Sequence, residues 1–412
     1  MKCFSLLTLF LVFSLVSYSQ KSQNSNSELK IYVDCQFCDE DYFRQNMNHV
    51  EFVRDRKVAD VHLLFSRQRN GSGGFTQNIQ FIGLGEFEKR MDTLYFSTNM
   101  NMTNDEKRKL QQKYIELGLV SFWLKKGLAE KITLNIEQKL TEADSIKKDP
   151  WNYWVFGLNI GGWANGQETS HSINTNSTIS AKRITEKNKF SMRARYNKNF
   201  QKFIYDSTIT TANQQSSWVN IQEVLAINEH WSYGFFTNVG NSIFSNQRFY
   251  CKPNAGIEYN LFNYKESSTK QIVLSYNAGA LGNIYYDTTV FYKDQEVVGF
   301  QKIQVAGTII QQWGSFSGSA SWQHYLHDIH LNSTSFWLNL KVRLFKGFSW
   351  RINGSFNILH DQINLKKDAA SLEDVLLQQQ QLGSGYSYWL NTGINYSFGS
   401  IYNSIVNPRF DF

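Results

Sequence analysis

From Trp151 onward, apolar and polar residues alternate along the chain. Trp154, Phe156, Leu158, Ile160 and Ala164 fall on one face of an extended segment, while Asn159 and Gly161 fall on the other. A period of two predicts strands with one face in an apolar environment. The same pattern recurs downstream. Phe190, Met192, Ala194 and Tyr196 oppose Ser191, Arg193, Arg195 and Asn197, and Phe336, Leu338, Leu340, Val342 and Leu344 oppose Asn339, Lys341 and Arg343. Phe348, Trp350, Ile352 and Phe356 oppose Ser349, Arg351, Asn353 and Ser355, and Leu390, Ile394, Tyr396 and Phe398 oppose Asn391, Gly393, Asn395 and Ser397. About twelve strands are predicted, over 153–165, 169–183, 188–205, 216–228, 231–243, 249–262, 271–285, 298–312, 315–326, 331–345, 348–359 and 385–398.

A soluble sandwich also alternates, so the polar face has to decide. It is largely Ser, Asn and Gly with isolated Arg, as in a narrow lumen, rather than the charged exterior of a sandwich. Trp154, Trp231 and Trp350 lie near strand ends, where a membrane barrel carries its aromatic girdle. Loop lengths alternate as well. The set EKNK, NEH, WGS and KG is short, with NYKESSTK longer, whereas 206–215, 287–297 and the insertion from Asp361 to Gly383 form a long external set. The expected fold is therefore an all-β transmembrane barrel of about twelve antiparallel strands over 150–400, with a tail over 401–412.

Residues 28–127 mix both periodicities. LKIYVDC, VADVHLLF, FTQNIQFIG and TLYFST predict strands, with a short helix at DEDYFRQNM and a turn at NGSGG. Thr103 to Glu106 is a capping box, followed by a stripe of Leu110, Tyr114, Leu117, Val120 and Leu124. The order β-α-β-β-β-α defines a small α+β domain preceding the barrel. A charged linker over 128–149 ends at Pro150. Residues 1–19 have the basic start, apolar stretch and small residues of a signal peptide, and Cys3 stands ahead of that stretch rather than at a lipoprotein position.

Past that leader no apolar run reaches the roughly 18 residues of a membrane helix, and mean hydropathy is −0.42. A barrel hides from such averaging because its two faces cancel. Aromatics at 15% and only 3 prolines in 412 residues agree with strands. The net charge of +7 is spread along the chain with no basic helix or arm, which argues against nucleic acid.

The wording DCQFCDEDYFRQNM, FVRDRKVADVHLLF, GSGG and FIGLGEFEKRMDTL, followed by a barrel ending in YSFGSIYNSIVNPRF, resembles a family of Gram-negative outer-membrane β-barrel proteins with an N-terminal CxxCD periplasmic α/β domain. The resemblance covers nearly all of the chain after the leader. It implies a fold and an outer-membrane location, and carries no assigned activity.

The sharpest local motif is Cys35-Gln-Phe-Cys38, where a strand meets a helix. In an oxidising compartment a structural disulfide is the plain reading; redox chemistry and metal binding are the alternatives. His324, His327 and His330 form a weak metal candidate, because three-residue spacing along a strand throws His327 to the opposite face. Arg193, Arg195, Glu258, Lys341, Arg343 and Arg351 are expected to face the lumen, as an anion-attracting constriction or a salt-bridged plug. Glu223 shares a face with Val219 and Ile221 and is set apart from them. NGSGG lacks the Lys and Ser/Thr of a phosphate loop, and no Gly-x-Ser-x-Gly elbow is present. The insertion holds ASLEDVLLQQQQL, whose Leu372, Val375 and Leu376 predict a short amphipathic helix.

No cofactor and no catalytic residue is expected. The expected partners are the outer-membrane bilayer, the outer-membrane assembly machinery and a periplasmic protein. The expected role is envelope organisation or transport, with a narrow anion pore and an acyl hydrolase as alternatives.

Overall fold

The structure, a computed structural model, describes residues 28–133, 149–206, 208–345, 347–368, 370, 377, 379–400 and 409. The leader over 1–19, most of the linker, Leu372, Val375 and Leu376, and all of the tail but Arg409 lie outside the described residues.

The N-terminal domain runs β1 (Leu29–Asp34), α1 (Glu40–Asn46), β2 (Val50–Phe52), β3 (Val61–Arg69), β4 (Phe75–Gly83), β5 (Met91–Ser97) and α2 (Asn104–Lys125). Its five-stranded sheet has the order β2-β1-β3-β4-β5. The short strand β2, which the sequence pattern does not announce, pairs parallel to β1 and completes that edge. NGSGG closes the β3–β4 hairpin, with Gly73 at φ +77° supplying the left-handed position. Asp39 caps α1 by accepting from the Tyr42 amide at 3.0 Å. Thr103 and Glu106 form the reciprocal capping box on α2.

Helix α2 packs by a face turned from the predicted stripe: Leu110, Tyr114 and Val120 pack against the core at its margin. Ile115, Gly118, Leu119 and Phe122 are buried, while Leu117 and Leu124 are exposed. The reason is steric. A Cβ built on Gly118 would come within 2.0 Å of the Phe81 ring, so only this side lets the helix settle on β4. Gln111 and Gln77 bond at 2.9 Å inside the same interface, satisfying each other's buried amides. Substituting Gly118→Ala is expected to destabilise this domain by about 1–3 kcal/mol through overpacking. Hydrogen exchange should then lose protection across α2 and β4 while the large sheet keeps its own.

The second unit is a continuous antiparallel meander. Its strands are β6 (Trp154–Gln167), β7 (Ser170–Ile184), β8 (Asn188–Tyr205), β9 (Thr208–Ala226), β10 (Trp231–Ser242), β11 (Gln247–Cys251), β12 (Asn254–Asn260), β13 (Lys270–Tyr285), β14 (Gln295–Gln311), β15 (Gly314–Tyr325), β16 (Asp328–Phe345), β17 (Phe348–Leu359) and β18 (Tyr386–Tyr396). β11 and β12 both pair with β10 and β13, so they are halves of one strand interrupted at Lys252 and Pro253, where proline cannot donate to the ladder. The wall therefore has twelve staves. The expected external loop over 206–215 is corrected: from Thr208 it is strand, and β8 and β9 zip together as far as Tyr205↔Thr208. Its Thr-rich composition reads as loop, yet β-branched threonine pairs well in a ladder.

The sheet coils so that one face turns inward. The outward face carries the exposed apolar residues, among them Phe156, Ile160, Val305 and Leu390. Inward positions such as Ser232, Asn260 and Asn283 are buried. Among the described residues β6 and β18 share no ladder, which leaves a seam in the barrel wall. No helix among them is long and apolar enough to cross a membrane.

Candidate functional site at the barrel floor

Register assigns the charged candidates to a face. Arg193 lies across from Ser180 and Asn220, and Arg195 from Thr178 and Trp218, on the inward face. Lys341 sits between Ser315 and Arg351, with Arg351 facing Gly393. Glu258 shares a row with Ser232, Ser275 and Gln304. All six candidates, Arg343 included, thus lie on the inward face, and by the same registers Lys182 and Lys302 join them. Glu223 pairs with Phe190 and Phe235, which puts it on the outward face near the end of its strand. Glu258 is occupied at 2.6 Å by the Tyr264 hydroxyl, which in turn accepts from Ser232.

The N-terminal domain closes one end of this lumen. Its contacts fall on strand ends and connections at that end. Arg56 donates to the Gln312 carbonyl at 3.0 Å, Asn78 to Ser268 at 3.4 Å, and Ser267 to Gln68 at 3.2 Å. Arg54 bonds Ser397, and Gly71 lies against Ile184. The central contact is a forked pair between Asp34 and Arg343, which also donates to the Gln312 carbonyl. A guanidinium matches a carboxylate in this two-pronged way, which fixes orientation as well as charge.

Asp34 ends β1, directly before the Cys35–Cys38 segment, and the two cysteines are joined in a disulfide. The bridge shapes the bend that leads from the floor-facing end of β1 into α1. Behind the carboxylate, His62 Nε2 stands 3.4 Å from Asp34 Oδ2, and the His62 ring meets Tyr32 edge-on at 5.2 Å. Burial by itself raises the Asp34 carboxyl. The adjacent His62 and Arg343 side chains outweigh it and bring Asp34 down to about 2. Burial pushes the His62 imidazole below its usual range despite the neighbouring carboxylate, so the ring is neutral at neutral pH.

A crevice of about 300 Å³ runs beside this latch, between Phe37, Ser66 and Arg67 of the domain and Ser317, Asn339 and Lys341 of the wall. The Arg67 guanidinium lies over both the Phe37 and Phe75 rings, 4.2 and 4.3 Å from their centroids.

The far mouth is obstructed by the connection between β17 and β18. Ile363 is 3% exposed and packs inside the lumen against Leu281, Val298, Phe300 and Tyr325. Asp361 accepts from Ser333 at 2.6 Å, and Asn246 reaches the Asn364 carbonyl at 3.2 Å. The Lys252 ammonium lies over the Phe300 ring at 4.3 Å and donates to Gln323. The described start of the insertion, 361–364, therefore folds into the opening.

The three histidines do not assemble. His324 is buried on the outward face beside Gln301 and Trp322, while His327 and His330 are exposed at the turn. No cluster of three His, Cys, Asp or Glu side chains suited to a metal occurs among the described residues. Cys251 is free.

Sequence reasoning overlooked Asp34, His62 and Arg67, because each lies in an ordinary strand and gains its role only where the two units meet. The acid immediately before a Cys-x-x-Cys at a strand end was the available signal. Ile363 carried none.

A capped antiparallel β-barrel with a cationic inner face is what these features define. No family model matches the chain, and no curated protein matches it. Among solved structures, the chain is similar to the NanC porin in a rhombohedral crystal form, at 10% identity and TM-score 0.29, over 59% of this chain and 100% of the porin.

Proposed function

We propose that this protein is an outer-membrane channel for small anionic solutes, held shut by its own N-terminal domain on the periplasmic side and by Asp361, Ile363 and Asn364 of the β17–β18 connection at the other mouth. The observation that carries the reading is the sign of the lumen. Arg193, Arg195, Lys302, Lys341 and Arg351 face inward, whereas the described strands place only Glu258 and Glu296 there in opposition. Such a surface concentrates anions and repels cations within the narrow bore. The outward aliphatic band supports a bilayer as its surroundings, because lipid is the solvent that tolerates such a surface. The cysteine bridge fits an exported, oxidising compartment.

Planar-bilayer recordings in a salt gradient test this. Currents from the wild-type chain are expected to be rare. When they occur, the reversal potential should favour chloride over potassium on the order of tenfold. Cation-selective currents, or none even after the domain is unlatched, would remove the channel from consideration.

A second reading, that the N-terminal domain docks a periplasmic protein, is favoured by one surface. Strand β5 is the free edge of its sheet and exposes Met91 and Tyr95. Leu117 and Leu124 are exposed on α2 on either side of Ser121, which bonds Asp92 of that strand. An unpaired edge beside apolar side chains suits an added strand from a partner.

A further inference from the structure

We propose that the crevice between the N-terminal domain and the barrel floor is a binding site for a small solute carrying two or more anionic oxygens, held by Lys341 and Arg67 with Ser66. The inference deepens the channel reading and rests on it for the arrival of such a solute at the floor.

Three observations carry it. First, the charge there is unbalanced. Lys341 and Arg351 lie directly across a ladder from each other, an arrangement that repels unless an anion stands between them. The nearby carboxylates are committed: Asp34 is taken by Arg343, and Glu40 by Arg44 at 3.2 Å. Second, Ser66 lines the crevice at 2% exposure, and its hydroxyl has no hydrogen-bond partner. Buried hydroxyls are almost always satisfied, so this donor marks a missing acceptor. Third, Arg67 is pre-positioned. Contact with two aromatic rings holds the guanidinium in place without neutralising it, which leaves its donors for a ligand.

The shape sets a size. At about 300 Å³ the crevice sits at the lower end of small-molecule sites, and Asn339, Ser315 and Ser317 add neutral polar contacts along the wall. Phosphorylated and dicarboxylate solutes both present the required oxygens.

The test is calorimetric titration of the full-length protein in detergent at low ionic strength, with inorganic phosphate in one arm and succinate in the other. Saturable binding of one probe names the source, and binding of both leaves the shared dianion. Lys341→Gln is expected to weaken binding about tenfold, the loss of one charge-assisted contact. Lys341→Arg should retain it, and Ser66→Ala should weaken it severalfold; this pair reads the site even if the glutamine variant fails to fold. No saturable binding of either probe, or binding indifferent to Lys341→Gln and Ser66→Ala in variants shown to be folded by a gel-mobility shift on boiling, overturns the site. Anion preference in the bilayer without such binding removes the site alone. Binding without anion preference removes the channel and leaves the site.

Discussion

Replacing Arg343 by alanine is expected to unlatch the N-terminal domain from the barrel. The substitution leaves Asp34 as a buried carboxylate, 9% exposed, with only a neutral imidazole beside it. Stranding one member of a buried ion pair costs about 3–5 kcal/mol, and the lower end applies because Arg343 itself is 23% exposed. The remaining floor contacts are hydrogen bonds of about 1 kcal/mol each that already exist beside the intact pair, so none of them replaces what the pair contributes. Hydrogen exchange should therefore accelerate in β1 and the Cys35–Cys38 segment, while the inner strands of the wall keep their protection. Bilayer recordings should show longer or more frequent openings. Removing Asp34 as well should recover part of the docking, since no charge is then stranded. A single variant with wild-type exchange and wild-type gating would show that the pair is ornamental.

Acid should release the same latch without mutation. The Asp34 carboxyl is lowered from 3.8 to about 2 in the folded protein. A lowered carboxylate contributes stability that is present in full above the unfolded value and lost as pH falls through the folded one. The window for Asp34 is therefore roughly pH 4 down to pH 2, and the contribution lost is about 2 kcal/mol. His62 acts earlier and in the same direction. Its folded value is depressed, so acidification below its unfolded value of 6.5 penalises the state that keeps the ring neutral and buried. Docking is expected to weaken first below about pH 6.5 and more steeply below about pH 4. Limited proteolysis of the N-terminal domain across this range checks it. Asp34→Asn should abolish the lower step, and His62→Gln the upper one. A profile untouched by either substitution would detach the latch from both groups.

Much of the wall is legible because strands with one apolar and one polar face obey one simple rule. The limits of β8, 188–205, and of β17, 348–359, follow directly from alternation between an apolar and a polar face. The inward placement of Arg193, Lys341 and Arg351 follows from the same parity. What was not legible depends on meetings between distant segments. Asp34 and Arg343 are separated by 309 residues, and neither strand pattern distinguishes a carboxylate that will be covered from one that stays wet. The stripe on α2 is legible at Leu110, Tyr114 and Val120 but not at its edges, because Leu117 and Leu124 are as apolar as Ile115 and Leu119 and the Phe81 ring, on another strand, selects the buried face. Ile363 looks like an ordinary loop residue until the loop turns inward.

The seam between β6 and β18 gives the floor contacts a mechanical meaning. Among the described residues β6 and β18 are not tied to each other by backbone hydrogen bonds, so the two edges are joined only through the strands between them and the domain beneath. The N-terminal domain grips the barrel on both sides of that gap: Arg54 reaches Ser397 just past β18, and Gly71 rests on Ile184 at the end of β7, the neighbour of β6. It spans the two lips as a clasp spans the ends of a bracelet. On the channel reading, lifting it from the floor would slacken the hoop as well as clear the bore, so lateral give and axial opening are expected as one event.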